Sequence, residues 1–423
     1  MEAYAAVLLY AIPMFVGLII IEALYGWWKG DFTFRSMDTI SSLSSGVTNT
    51  LKSVLGLVIV IVGYDWMVDK IAVTQIEATG LVYFIALIAI DFGGYWNHRL
   101  NHSINYFWNR HVIHHSSEEF NLACALRQTI SNFFGIGAFF LIPAALLGVP
   151  AKVIGIIAPI HLFAQFWYHT RHIPKLGFLE YLIITPSQHR VHHAINTIYL
   201  DKNLGELFPW WDRMFGTFQE ELEEEPCVYG VLKAPKTWNP IKINFQHLWV
   251  LIKDAWHTKS YWDKCRLWFM PTGWRPADVI EKYPIQIIEN PHTYKKYDTV
   301  ASTRLHAWSW FQFILANAFV THMLISFSDI GFPQLFYYGF FVFLLIYSYT
   351  TLMDRDPNAI WFELIKSIYG MGLLFTMNGW FGLESVLSSA PTLVTAYLVI
   401  SVLVVAGFVM GEFKEEAGNL VAN

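Results

Sequence analysis

The sequence predicts an all-α, polytopic membrane protein, and three observations carry that expectation. Hydrophobic residues make up 55% of the 423-residue chain and charged residues only 14%, against about a quarter charged in a soluble protein. Apolar stretches of roughly 20 residues, the length that crosses a ~30 Å hydrocarbon core, recur along the chain. Only one long segment, residues 217–304, lacks such a stretch.

The apolar stretches fall at 4–24, 47–66, 80–97, 130–148, 151–169, 306–327, 332–352, 358–379 and 391–411. The first has no basic leader and no small-residue cleavage site, so it reads as a retained helix. Orientation follows from the basic residues near the ends. Lys29 and Arg35 follow the first stretch, Arg99, Arg110 and Arg127 the third, and Arg171, Lys175 and Arg190 the fifth. The opposite connections are poor in cations: Asp65 to Glu77 holds one lysine, and the turn at Gly148, Val149 and Pro150 none. This places the polar segment, the histidine-rich segments and the C-terminus in the cytoplasm. Nine spans place the N-terminus outside. The division predicted is a membrane-embedded domain over 1–216, a cytoplasmic or interfacial segment over 217–304, and C-terminal transmembrane helices over 305–423.

Cys124, Cys227 and Cys265 are widely spaced and form no CxxC pair, which suits a reduced compartment and excludes a disulfide framework or a thiolate metal site. No basic tract points to nucleic acid. The acidic run Glu220 to Glu225 reads as a solvated face. Trp238, Trp249, Trp256, Trp262, Trp268 and Trp274 stand among lysines in the polar segment. Such a mixture suits the headgroup layer, and equally suits packing into a cap over a site.

Of 16 histidines, eight fall into three groups: His98-Arg-Leu-Asn-His102, His111-Val-Ile-His114-His115 and His189-Arg-Val-His192-His193. Positions i, i+3 and i+4 share one helix face, so each group aims its imidazoles at one point. Thr185 and Pro186 read as the N-cap and first residue of the helix that carries the third group. Eight imidazoles exceed the four ligands of a structural zinc. Divided between two ions they give four nitrogens each and leave positions open, although ligand type alone does not choose among iron, zinc, copper and nickel. Transporters place polar residues near mid-membrane on broken helices. Histidines gathered at helix ends on one side favour a fixed catalytic cap over a transition-metal transporter.

Asp91, seven residues before His98, either accepts a hydrogen bond from an imidazole N–H or packs between helices. Glu118 and Glu119 either orient the second group or are solvated. His161 reads as a hydrogen-bonded core residue. His247, His257, His292, His306 and His322 are isolated and read as structural.

The three groups resemble the HxxxH, HxxHH and HxxHH boxes of the fatty acid hydroxylase/sterol desaturase superfamily, over about residues 75–220. Beyond the boxes the chain looks most like the alkylglycerol monooxygenases. The likeness runs through Ser116-Ser-Glu-Glu-Phe-Asn-Leu, Ala125-Leu-Arg-Gln, Gln165-Phe-Trp-Tyr-His169, Thr185-Pro-Ser-Gln and Trp211-Asp-Arg-Met-Phe-Gly-Thr-Phe. Trp238-Asn-Pro and Gly273-Trp-Arg-Pro continue it more weakly. One departure is Ser103, where the members compared carry a glutamate. The resemblance implies a helical membrane protein with a cytosolic cap, and two iron ions on His98, His102, His111, His114, His115, His189, His192 and His193. It adds His169 as a ninth ligand with Gln165 beside it, and His172 competes for that role. Arg127 and Gln128 match without a derivable role.

The implied activity is dioxygen-dependent hydroxylation of a lipid C–H bond, with cleavage of an alkylglycerol ether as one outcome. Hydroxylation or desaturation of a sterol, carotenoid or fatty acyl chain is the alternative. The sequence carries no recognisable haem or flavin domain and no cysteines for an iron–sulfur cluster, so an external electron donor is expected. The resemblance suggests a tetrahydropterin, with cytochrome b5 or a ferredoxin as alternatives.

Overall fold

The computed structural model describes residues 2–60, 62–135 and 137–414. Residues 415–423, the end that the sequence places in the cytoplasm, lie outside the described residues. The principal helices are α1 (Glu2–Lys29), α2 (Ser36–Val54), α3 (Gly80–Ser103), α4 (Val112–His115), α5 (Ala151–Ala164), α6 (Pro186–His192), α7 (Pro240–His257), α8 (Thr303–Ile325), α9 (Gln334–Met353), α10 (Ala359–Thr376) and α11 (Ala390–Gly407). Two residues each of β1 (Ile59–Val60) and β2 (Phe134–Gly135) pair in parallel.

Among the described residues, five helical stretches are long and apolar enough to cross a membrane: Tyr4–Lys29, Gly80–Ser103, Gln334–Met353, Ala359–Thr376 and Ala390–Glu412. The first displays Tyr10, Ile21 and Trp27 on its outside, as a helix bathed in lipid does. The nine continuous spans read from hydropathy are corrected here. The stretch 47–66 is no continuous helix: α2 ends at Val54, Gly56 turns the chain at φ +64°, and β1 follows. Residues 130–148 break into β2, a 3-10 turn over Gly137–Leu141 and a short helix over Ile142–Leu146, with Pro143 at its start. The stretch 151–169 is helical only to Ala164.

Hydropathy passed over the first half of α2, a polar helix buried by protein rather than by lipid. In α2, Ser41, Ser42, Ser44, Ser45 and Thr48 are all buried, and Ser44 pairs its hydroxyl with Tyr349 at 2.5 Å. In α8, Ser309 and Gln312 are buried too. The core of α8 to α11 includes Leu345, Ile346, Trp380 and Leu398, and it continues through Met37, Ile40 and Leu51 of α2. The helix lattice thereby joins the two ends of the chain.

The segment after residue 217 closes over the histidine groups. Asn105 fastens it: its Nδ2 donates to the carbonyls of Leu267 (3.0 Å) and Trp274 (2.9 Å), and its Oδ1 accepts from the Gly273 amide. Trp238 is buried in the shared core, whereas Trp256 and Trp262 are exposed.

Candidate metal centre

Four chain segments deliver the imidazoles. The last turns of α3 carry His98 and His102 on one face. A tight turn then leads to His111 and into α4, which ends in His114 and His115. The start of α6 is fixed by Pro186 in its first turn and by a reciprocal capping box between Thr185 and Gln188, which orients His189, His192 and His193. His169 lies just past α5, where the unwound chain lets Nδ1 donate to the Gln165 carbonyl at 3.0 Å.

All nine histidines singled out from the sequence come together, and they divide five and four. One group is His98, His102, His111, His115 and His192; the other is His114, His169, His189 and His193. Within each group the converging nitrogens lie within 4.8 Å of one another. In the first, Nε2 separations are 2.9 Å (His98–His111), 3.0 Å (His111–His115) and 3.2 Å (His102–His115). In the second they are 2.8 Å (His169–His189), 3.0 Å (His189–His193) and 3.3 Å (His114–His169). With metal–nitrogen bonds of about 2.0–2.1 Å, nitrogens at right angles lie roughly 3.0 Å apart, and at the tetrahedral angle roughly 3.4 Å.

The outer hydrogen bonds decide what these short separations mean. His98, His114, His169 and His192 each place Nδ1 on a backbone carbonyl, of Leu204 (2.9 Å), Arg127 (3.2 Å), Gln165 (3.0 Å) and Lys202 (3.0 Å). His102 places Nδ1 on the Asp201 carboxylate at 3.0 Å. A carbonyl only accepts, so Nδ1 must carry the proton and Nε2 presents a bare lone pair. His114 and His169 then face each other lone pair to lone pair. That is repulsive unless a cation stands between them. The buried Nε2 of His192 has no hydrogen-bond partner at all. Burial, followed by the neighbouring imidazoles, holds His111, His115, His189 and His193 well below the usual histidine range. Burial also brings His114 down to about 4. Neutral imidazoles with free lone pairs are what a metal needs.

Several supporting residues gave no sequence signal of their own. Asp201 is one. Asp212 accepts from the Leu204 and Gly205 amides at 2.7 and 2.8 Å, which sets the Leu204 carbonyl under His98. Only the Trp211-Asp-Arg text hinted at it. The Arg127 guanidinium binds Asp38 (2.7 Å), Ser42 and Ser116, which holds its own carbonyl against His114. Asp91 proves to be an organiser of the 207–211 turn rather than an acceptor for one of the nine. It takes His161 Nε2 at 2.7 Å, the Leu207 and Phe208 amides, and the Trp211 indole.

Glu118 and Glu119 neither orient the second group nor stand in solvent. They are buried, Glu118 accepting from Tyr294 and the Tyr297 amide and Glu119 from Lys296. His172 lies away from the cluster, beside Tyr25 and Gly26. Gln128 donates to the Ala125 carbonyl. Ser103 is exposed, and its hydroxyl donates to the Arg99 carbonyl at 2.7 Å. Of the isolated histidines, His247 bonds the Asn105 carbonyl, His292 Glu225, His306 Ser36 and His322 Tyr338, while His257 stacks on Tyr283.

Two cavities flank the histidines. The larger, about 540 Å³, lies under the cap, meets His102, His115 and His192, and is walled mainly by aliphatic residues such as Ile195, Leu232 and Ile285. The smaller, about 360 Å³, meets His98 and His111 of one group and His114, His169 and His189 of the other.

Imidazoles gathered at the ends of apolar helices define a class, the metal-binding oxidoreductases of the membrane, and the comparisons agree. The family model described as fatty acid hydroxylase matches residues 83–217. Alkylglycerol monooxygenase of Homo sapiens is 31% identical over 407 residues, covering 96% of this chain and 89% of that protein. The Xenopus tropicalis protein of the same name is 31% identical over 354 residues, covering 83% and 78%. Ornithine lipid hydroxylase OlsE of Rhizobium tropici is 33% identical over 135 residues, 32% of this chain and 40% of its own length. No solved structure matches.

The chain belongs to the alkylglycerol monooxygenase family within the fatty acid hydroxylases. It is an integral, multi-pass membrane enzyme, a lipid hydroxylase of the monooxygenase type, and the transporter alternative falls away.

Proposed function

We propose that the chain is a di-iron lipid monooxygenase, with the five-histidine group holding one ion, the four-histidine group the other, and an alkylglycerol or related ether lipid as substrate. The observation that carries the reading is the convergence of nine imidazoles, five of them tautomer-locked with a bare Nε2 turned inward. Imidazole alone does not select a metal. Oxidation of an unactivated C–H bond by dioxygen requires a redox-active one, and a di-iron pair supplies that chemistry when bound.

In this reading the smaller cavity is the reaction chamber, because imidazoles of both groups wall it. Phe15 of α1, Leu162 of α5 and Phe166 also line it, so a chain enters laterally from the bilayer and the apolar wall excludes water. The cap cavity, which reaches only the five-histidine group, admits an external two-electron donor, a tetrahydropterin by family likeness. Cytochrome b5 or a ferredoxin is the alternative donor. One oxygen atom enters the C–H bond beside the ether oxygen, and the other leaves as water with two electrons and two protons. The hydroxylated carbon is a hemiacetal, which collapses to an aldehyde and a free glycerol hydroxyl. No bond-cleaving side chain is required.

The test offers an alkylglycerol, a sterol, a carotenoid and a free acyl lipid, each with a tetrahydropterin and with a ferredoxin system, under oxygen-18. The expected result is labelled long-chain aldehyde from the ether lipid, trapped as alcohol, and no turnover with NADPH alone. Stable hydroxylation or desaturation of another lipid, with the ether untouched, moves the enzyme to that substrate.

The cytoplasm is the proposed side for the centre, on the strength of the exposed Arg171 and Lys175 beside it. α3 rises roughly 36 Å over its length and separates the two ends. Cysteines introduced at Lys175 and Gln75 are therefore expected to react from opposite faces, the former from the cytoplasm. Labelling of both from one face would overturn the assignment.

A further inference from the structure

The reaction chamber holds a cation that no acid neutralises. Arg110, directly before His111, lines the cavity, and its Nε is buried without a hydrogen-bond partner. Its guanidinium stands beside the Phe107 ring at 5.8 Å. Behind it Lys52, only 8% exposed, donates to the Thr129 carbonyl at 2.7 Å, and Thr129 itself lines the chamber. The two cations are near enough to repel each other. Among the described residues neither forms an ion pair.

Three other inward-facing guanidiniums behave differently. Arg127 is paired with Asp38, Arg190 with Glu221, and Arg275, at the cap cavity, with Asp254 at 2.6 Å. Arg110 is half-buried with its Nε sealed from solvent, and an unpaired charge so placed is costly unless a ligand completes it. The chamber's own carboxyl does not complete it. Glu206 packs instead against Gly94, Gln165 and His161, where an added Cβ on Gly94 would meet its Oε2 at 2.1 Å. Burial raises that carboxyl to about 7, so near neutral pH it is partly uncharged. Besides the histidines, Thr129 and Tyr168, the other polar liners are amides, Asn49, Asn97, Asn101, Gln128 and Gln165, and the buried Asn101 Oδ1 also lacks a partner. That acceptor suits a hydroxyl.

We propose that Arg110, backed by Lys52, receives the anionic headgroup of the lipid substrate, a phosphate or carboxylate, with Asn101 accepting from a neighbouring headgroup hydroxyl. A guanidinium presents paired donors that match two oxygens of such a group. The inference rests on the reading of this cavity as the substrate chamber. It narrows the substrate from neutral ether lipids to acidic ones.

The experiment measures binding rather than turnover, so a failed oxygenase assignment and a failed headgroup assignment give different results. Purified full-length enzyme with its metals is titrated with 1-O-dodecylglycerol, with its 3-phosphate and with inorganic phosphate. The lipid phosphate is expected to bind at least about tenfold more tightly than the neutral lipid, the scale of one charged hydrogen bond. Arg110→Gln is expected to erase that difference and Arg110→Lys to keep part of it. Lys52→Gln, whose site lies outside the cavity wall, is expected to reduce it and covers the case in which Arg110→Gln fails to fold. Equal binding of the two lipids by the unaltered protein overturns the proposal. So does equal loss of both in each variant. Displacement of the lipid phosphate by micromolar inorganic phosphate overturns the headgroup assignment by showing a free-phosphate site.

Discussion

His114→Ala is expected to leave one iron ion per chain instead of two and to lower lipid oxidation by more than a hundredfold. Its group has four imidazoles, and removing one leaves three. His192→Ala acts on the five-membered group and leaves four, so its ion is expected to be retained in part, while oxidation falls as steeply. Altering a group that merely supports a ligand typically costs 10–100-fold in affinity or activity, so loss of a ligand exceeds that range. Metal analysis after anaerobic purification, paired with an aldehyde assay, reads both quantities. Two ions retained in both variants would sink the five-and-four division. Zinc in aerobic preparations would not, because imidazole sites accept it.

The second large effect lies far from the histidines. Lys366 of α10 is fully buried among the C-terminal helices, with Nζ 2.5 Å from Glu363 Oε1, 2.9 Å from the Tyr397 hydroxyl and 3.0 Å from Ser401 Oγ. Ser348 of α9 donates to the other carboxylate oxygen at 2.7 Å. Breaking a buried pair from one side costs about 3–5 kcal/mol, because the remaining charge has neither water nor partner, whereas removing both charges is often neutral. Lys366→Met is therefore expected to destabilise the protein in detergent by about that amount. Lys366→Met combined with Glu363→Leu is expected to recover most of it. Thermal unfolding of the three proteins checks this, and a double variant no more stable than the single one would contradict it.

Much of the candidate site was legible because helical spacing is a local property. His98 and His102, His111 to His115 and His189 to His193 sit at intervals that put imidazoles on one face whatever surrounds them. Composition and apolar stretches of roughly 20 residues likewise pointed to a helical membrane protein, since a single stretch of that length crossing lipid satisfies its backbone within itself as a helix. His169 was different: nothing local marks it, and family likeness alone brought it in.

Tertiary structure decided the rest. Which histidines share a group depends on how α3, α4, α6 and the unwound chain after α5 meet, and spacing within a box carries no information about that. The second box is split by it, His111 and His115 going to one group and His114 to the other. The supports are set the same way, since Asp201 lies 99 residues from His102 and the Arg127 carbonyl reaches His114 only because Asp38 holds its side chain. The number of spans was misjudged for a related reason. Hydropathy registers apolar residues and not backbone continuity: after residue 130 the chain breaks at β2, a 3-10 turn and Pro143 while Phe133, Phe134 and Leu147 stay exposed, and in α2 buried hydroxyls find partners inside protein that lipid does not offer.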